Sequence, residues 1–182
     1  MTGEEIAALL AACKGDAFED LRDTAIIRLL LDTGLRRTEL ATLQLEDLDL
    51  DVHTAYVAGH GRVPRAAPFD RPTARALEGY MAAHALHRAA HLPHMWLGRR
   101  GRLTDRGADL AVRHRGRLAG IPALHAQRLR HTYVQQYLAD GGSGRDLMRL
   151  VGWKSRQLLV RYPTRPLAER PRAEWLRLGD RL

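Results

Sequence analysis

The sequence predicts an α+β fold, mainly α, with a small antiparallel β-sheet inserted among the helices. Three features predict it. Helix-start pairs, in which Ser, Thr or Asp is followed three residues later by Glu or Asp, recur at Thr2/Glu5, Asp16/Glu19 and Ser143/Asp146; such pairs satisfy the open amides of a first helical turn. The stretch "LDLDVHTAYVAGHGRVPRAAPF" alternates in polarity and carries β-branched residues, which suits short strands. Gly and Pro fall at the ends of the periodic stretches, where they stop helices.

Taken in order, a helix begins at Thr2 and runs through "EEIAALLAAC". A second opens on Asp16/Glu19, carries Phe18, Leu21, Ala25 and Leu29 on one face, and closes at Gly34. The short helix "TELATLQ" starts at Thr38. Residues 48–69 form two or three antiparallel strands that turn at Gly59-His60-Gly61, with a hairpin tip near 59–63. Asp70 and Pro72 start a long helix reaching about residue 90, and Pro93 stops it. "MWLGRRGRLT" is a loop with a short extended piece, after which Thr104 caps a helix. Three more helices follow: 127–139, ended by Gly141-Gly142; 144–151, behind Ser143/Asp146; and 156–162, behind Ser155. Residues 165–182 form a possible C-terminal interaction helix. With no repeat and no linker in view, residues 1–182 read as one domain.

Composition narrows the function. Lys and Arg total 29 against 21 Asp and Glu, a net charge of +8 on 182 residues. A basic domain of this size suits a polyanion, with nucleic acid first and an anionic membrane second. Only Lys14 and Lys154 are lysines, so GC-rich coding also accounts for part of the arginine excess. A single cysteine, Cys13, excludes an intrachain disulfide and a zinc site built from several thiolates. "MTGEEIAALLAACKGD" places acids where a secretory signal has basic residues, and "AIIRLLL" is too short and too interrupted to span a bilayer. The expectation is a soluble cytoplasmic protein that does not enter the membrane.

Several residues stand out. Arg36 sits between a helix stop and a helix start, a rigid place from which to project a guanidinium. Arg128, Arg130 and His131 lie near a helix start, where amides and guanidinium forks can cradle a phosphate; a solvated basic face gives the same pattern. His84, His87 and His91 fall on one helical face with no acid or thiol beside them, which favours a polar boundary over a metal site. Glu46, Asp47, Asp49 and Asp51 alternate along a turn entering a strand, so the aspartates share a solvated face and form no two-metal clamp. Taken alone, Tyr162 reads first as an ordinary amphipathic core or boundary ring and only second as a nucleophile.

Together these stretches resemble the catalytic domain of the tyrosine recombinases, the phage integrase family, over nearly the whole chain. "LLLDTGLRRTELATLQLEDLDLD" looks like the family's first box, "RLRHTYV" its second, and "LVGWKSRQLLVRY" its last. The resemblance implies a helical catalytic domain of tyrosine recombinase type. It further implies DNA cleavage and rejoining through a 3′-phosphotyrosyl intermediate, without metal or cofactor, in site-specific recombination or integration of double-stranded DNA. Tyr162 would be the nucleophile. Arg36 and Arg130 would hold the phosphate oxygens, Trp153 would donate its indole N–H to one of them, and Glu39 and His131 would support the site. Arg62, Arg65, Arg128 and Lys154 are the further cations expected on DNA. In related enzymes the C-terminal helix docks on a neighbouring subunit, so residues 165–182, with Leu167, Trp175, Leu176 and Leu178, are expected to join copies on DNA or to pack within the chain.

Two residues depart from the family. His60 stands at the hairpin tip where a lysine protonates the leaving 5′ oxygen, and Gln127 stands where His or Lys precedes the second arginine by three residues. Imidazole titrates near ~6.5 and can supply a proton, whereas Gln can hydrogen-bond but not titrate. The family's N-terminal clamp domain is not expected in this chain, which starts at the catalytic domain's first helix. Two readings follow: a recombinase slowed in its proton handling, or a DNA-binding remnant that no longer cuts. A helix-turn-helix regulator using 127–139 and 144–151 is a third reading, which leaves Tyr162 and the hairpin unused.

Overall fold

Helix α2, Phe18–Thr33, is central to the first part of the fold. The structure is a computed structural model that describes residues 1–58, 64–160 and 162. It divides into two units, residues 1–133 and the described residues from Val134 onward. In the first unit, α1, Gly3–Ala11, starts on the expected box: Thr2 Oγ1 accepts from the Glu5 amide at 3.1 Å, and the Glu5 carboxylate accepts from the Thr2 amide at 3.0 Å. The matching box at Asp16/Glu19 does not form. Extended Ala17 is the N-cap of α2 without a side-chain bond, and the acidic first turn, Glu19 and Asp20, meets the helix's positive end instead.

The expected single apolar face of α2 is also too narrow. Arg22, Asp23, Ile26, Ile27, Leu30 and Thr33 are buried along with Ala25 and Leu29. Helix α4, Arg71–Ala85, and helix α5, Asp105–Leu118, both pack on α2, so more than one face is covered. The charged residues buried there are paired. Asp23 binds Arg22 at 2.7 Å and Arg115 at 2.8 Å, and Arg115 also reaches Asp20 at 2.7 Å. Arg22 donates to the Leu97 carbonyl, and Arg115 to that of Ala12.

After α2 come α3, Arg37–Thr42, and a 3₁₀ turn, Leu45–Asp47. Strands β1, Leu48–Asp49, β2, Thr54–Val57, and β3, Arg65–Pro68, form an antiparallel sheet in the order β1-β2-β3, with Ala55 opposite Ala67 and Val57 opposite Arg65. The expected hairpin tip, 59–63, lies outside the described residues. The aspartates at the entry to the sheet bond to local backbone amides. Asp47 accepts from the Gln44 amide, and Asp49 from those of Asp51 and Val52, so they cap local turns.

Helix α4 has its expected Asp70 cap but ends at Ala85, short of residue 90. Residues 86–91 are turns, so His87 and His91 leave the helix and the histidine stripe is broken. His84 is buried, with Nε2 3.1 Å from the His94 carbonyl oxygen, and the His87 ring stacks on Phe18 at 4.7 Å. The loop "MWLGRRGRLT" holds a hairpin that the sequence reading reduced to one extended piece: β4, Leu97–Gly98, with β5, Gly101–Arg102. Trp96 stacks on Tyr80 at 5.3 Å, and the Tyr80 hydroxyl accepts from the Leu97 amide and donates to the Met95 carbonyl. Thr104 caps α5 as expected.

Helix α6, Ala126–Ala139, runs across the division between the units. In the second unit, α7, Gly144–Val151, starts at Ser143 and ends at left-handed Gly152. Helix α8, Gln157–Val160, is shorter than the expected 156–162 and leaves Tyr162 just beyond its end. Residues 165–182, expected to form the interaction helix, lie outside the described residues. Among the described residues no helix is long and apolar enough to cross a membrane.

Asp32 sits at the α2–α4 junction, where its carboxylate accepts from the Asp70 amide at 2.9 Å. Burial pushes its pKa up to about 6 from 3.8. Burial also pushes Asp70 up, but hydrogen bonds from the Thr73 amide and from Asp32 prevail and hold it below the usual carboxylate range. A carboxyl whose folded pKa exceeds its unfolded one weakens the fold as pH rises through that interval. Asp32→Asn is therefore expected to raise the thermal midpoint at pH 8. The gain should shrink between about pH 6 and 4 and vanish below, as read by melting curves across pH.

Candidate active site

The site in the first unit is built where α2 stops. Gly34 adopts the left-handed conformation, φ 57° and ψ 30°, and its amide closes α2 on the Leu30 carbonyl. A Cβ there would lie 2.5 Å from Cδ1 of Tyr133, so the position needs glycine both for its backbone and for its space. Arg130, buried on α6, donates through Nη1 to the Gly34 carbonyl oxygen. Two residues later Arg36 is the N-cap of α3. The two arginines named from the sequence are thus tied to one helix junction.

Glu39 sits in the first turn of α3 and reaches back. Its Oε2 accepts from the Arg36 amide at 2.9 Å, and its Oε1 from Arg36 Nη1 at 3.0 Å. This is why α3 starts before Thr38: the backward reach of Glu39 makes Arg36 the cap. Oε2 also accepts from Arg65 Nη2 at 2.7 Å. The Arg36 side chain is 29% exposed, Glu39 only 8% and Arg65 only 11%. Arg65 Nη1 is buried without a hydrogen-bond partner. Burial draws the Arg65 guanidinium below its usual pKa; Glu39 opposes that and the Arg36 charge adds to it. An unsatisfied buried donor costs on the order of 1–3 kcal/mol.

The remaining named residues divide between the units. Gln127 Nε2 is 3.4 Å from His131 Nε2, one turn apart on α6. His131 is held below the usual histidine value by desolvation and by Arg130 and His125. Arg128, expected on DNA, pairs with Glu5 at 2.8 Å and ties α6 to α1. In the second unit the Trp153 ring stacks on that of Tyr162, centroids 5.6 Å apart and 27° between planes. The Trp153 amide closes α7 on the Met148 carbonyl, and the Tyr162 amide bonds that of Leu159, so both rings are set by backbone bonds at helix ends. Lys154 is exposed. His60 and Arg62 lie outside the described residues.

Sequence reasoning missed Tyr133, which fills the space beside Gly34, and nothing in the local pattern signals it. Arg65, named from the sequence as a cation, has its Nη2 on Glu39. The strand period carried that signal, because Arg65 shares its face of β3 with buried Ala67 and with Phe69 beyond.

Comparison with known proteins agrees with this geometry. The phage integrase family profile matches residues 1–167. The tyrosine recombinase XerC of Staphylococcus carnosus (strain TM300) is 31% identical over 161 residues, covering 87% of this chain and 54% of that protein. The crystal structure of XerA recombinase is similar with a TM-score of 0.76 at 25% identity, over 85% of this chain and 54% of that one. The XerH site-specific recombinase, solved bound to difH substrate in a pre-cleavage complex, shares the fold with a TM-score of 0.79 at 18% identity, over 96% and 52%. This chain belongs to the phage integrase family. It spans about half the length of the curated relatives it matches.

Gly34→Ala tests the junction. The left-handed backbone costs an L-residue about 1–2 kcal/mol, and the Tyr133 ring must also move. A loss of about 2–3 kcal/mol is expected in urea unfolding. A change within ±0.5 kcal/mol, the ordinary surface range, would contradict the reading.

Proposed function

We propose that this chain is the catalytic domain of a site-specific recombinase that cuts and rejoins double-stranded DNA through Tyr162. The observation that carries the reading is the placement of Tyr162 just beyond α8, its ring stacked on Trp153, in a chain of the phage integrase family. In the proposed step the Tyr162 oxygen attacks a phosphorus and the bond to the 5′ oxygen breaks. The 5′ oxygen leaves as a hydroxyl after taking a proton, and the 3′ end stays linked to the tyrosine. Attack by the 5′ hydroxyl of another strand reverses the step and restores the phenol.

Arg36 and Arg130 hold the non-bridging oxygens and stabilise the charge that builds in the transition state. Glu39 orients Arg36, and Trp153 adds an indole N–H donor. His60 supplies the proton to the leaving oxygen. Gln127 contributes a hydrogen bond but no proton, and His131 supports it from one turn away. Arg62, Lys154 and the outer part of the Arg128–Glu5 pair lie against the DNA backbone, and residues 165–182 join copies of the protein on DNA. The reading places the protein with its DNA in the cytoplasm.

The test is a nicked DNA substrate that traps the covalent product, resolved on a denaturing gel. Wild type is expected to give a protein–DNA band. Tyr162→Phe should give none while binding the same duplex within about threefold, since a phenol oxygen adds little to an interface dominated by phosphate contacts. A band from Tyr162→Phe would remove Tyr162 from the mechanism. Salt-sensitive binding without a band from wild type would instead mark a DNA-binding remnant.

A further inference from the structure

Three helices of the first unit leave a groove that the recombinase reading does not use. Leu10 lines it from α1, Leu21 and Arg28 from α2, and Arg75, Ala76 and Gly79 from α4; the turn between α1 and α2 adds Lys14. On each helix these residues recur at helical spacing, so each helix gives the groove one face. The groove holds about 400 Å³. That is near the small end of ligand sites, with room for a few side chains and not for a folded domain. None of its lining residues belongs to the candidate active site.

Leu10, Leu21 and Ala76 are half-buried and packed against the core, which makes an apolar floor. The charged lining is wholly cationic: Lys14, Arg28 and Arg75, with no Asp or Glu. Among the described residues none of these three side chains makes a hydrogen bond or ion pair, though the Arg28 charge acts on Asp70. Cys13, also in the lining, donates to the Leu9 carbonyl, and burial pushes its thiol up to about 11, so it adds no negative charge at neutral pH. The turn that carries Lys14 is fixed before any partner arrives, because Arg115 Nη1 donates to the Ala12 carbonyl at 3.1 Å and the Lys14 amide to that of Ala11 at 3.2 Å.

Solvated cations are ordinary on a basic chain; Gly79 is not ordinary. It lies in the interior of α4, where glycine weakens a helix. A Cβ there would meet nothing within 4 Å, so packing within the chain does not call for glycine. What glycine leaves is bare backbone on the groove wall, open to the close approach of another chain. We propose that the groove docks an acidic peptide segment of another protein, with aliphatic side chains on the floor and carboxylates on Lys14, Arg28 and Arg75. Charge complementarity selects this occupant. The chain's own residues 165–182 carry five arginines against three acids and would meet like charge. Duplex DNA suits the cations but brings no aliphatic chain to the floor, and no aromatic ring lines the groove to stack a base.

The probe is a fluorescein-labelled peptide of alternating Leu-Leu and Glu-Glu pairs, about three helical turns long, followed by anisotropy against the full chain. Saturable binding with a Kd below about 1 mM is expected at low salt, weakening as salt rises. The same peptide with Gln in place of Glu should bind about tenfold more weakly or worse. Arg75→Glu combined with Lys14→Glu should cost as much with little change in melting temperature, since neither side chain has a partner to lose. Gly79→Leu separates stability from docking. Its melting temperature should rise, because leucine is the better helix former, while peptide binding falls about tenfold or more as the new side chain fills the groove.

No saturation up to about 1 mM peptide would overturn the proposal. So would undiminished binding in Gly79→Leu, because the peptide would then be held elsewhere on a basic surface. Displacement of the peptide by octanoate at an equal or lower concentration would overturn it in favour of a small amphipathic anion. Displacement by a mixed-sequence duplex, with duplex binding itself weakened in the Lys14→Glu, Arg75→Glu protein, would overturn it in favour of a DNA contact. None of these readouts depends on strand cleavage, so the outcome stands whether or not the recombinase reading does.

Discussion

Asp23, held between Arg22 and Arg115 in the interior of the first unit, fixes the helix from which the site is built. All three side chains are less than a tenth exposed, so the charges are compensated by one another rather than by water. Removing one partner from such a set costs about 3–5 kcal/mol, because the survivor is left buried and unpaired. The network also has direction. Arg22 reaches the β4 backbone, and Arg115 reaches Asp20 and the turn after α1, so α2 is fastened to elements distant in sequence. A purely apolar interface would hold α2 with comparable strength but with less definition of its rotation and height, since hydrophobic contact is not directional.

That definition is what the site uses. The last turn of α2 places Gly34, whose carbonyl receives Arg130 and whose left-handed backbone turns the chain into α3. One residue of spacing then delivers Arg36, and the first turn of α3 delivers Glu39 beneath it. Their geometry is inherited from a helix end, where backbone groups lack intrahelical partners and must find others. Arg130 on Gly34 and Glu39 on the Arg36 amide make those bonds with side chains to which the proposed chemistry is assigned.

What could be read from the sequence was what is local. The Thr2/Glu5 box, the Gly34 stop, and the Asp70, Thr104 and Ser143 caps each depend on residues a few positions apart. The order of the three boxes also fixed the family, which the profile match over residues 1–167 bears out. The failures share a cause. Asp16 has the residue type and spacing of a cap, but the chain enters α2 one residue later, at extended Ala17, and Asp20 of the first turn also bonds Arg115 from 95 residues away. The apolar stripe on α2 was drawn too narrow because buried Arg22 and Asp23 look like surface residues until their partners are known. Arg65 reads from the sequence as a solvated cation, yet its side chain is only 11% exposed. Its partner Glu39 is 26 residues distant, and only the inward register of Ala67 hinted at it.

The two units carry different parts of the proposed chemistry. Arg36 and Arg130, proposed to hold the phosphate, lie within residues 1–133, and Tyr162, the proposed nucleophile, lies with its stacked indole beyond Val134. Each part is ordered by bonds inside its own unit: the first by a shared carboxylate, the second by backbone bonds at the ends of α7 and α8. The choice of cation completes the logic. Arginine remains charged even where burial opposes it, as at Arg65, so the clamp's charge is constant across the neutral range. His131 is drawn below its usual value by desolvation and by Arg130 and His125. Among the proposed catalytic groups, His60, which lies in sequence between β2 and β3, and Tyr162 are the ones proposed to move protons. A clamp that does not titrate confines the pH dependence of the proposed reaction to the groups that make and break bonds to the leaving oxygen and the phosphorus.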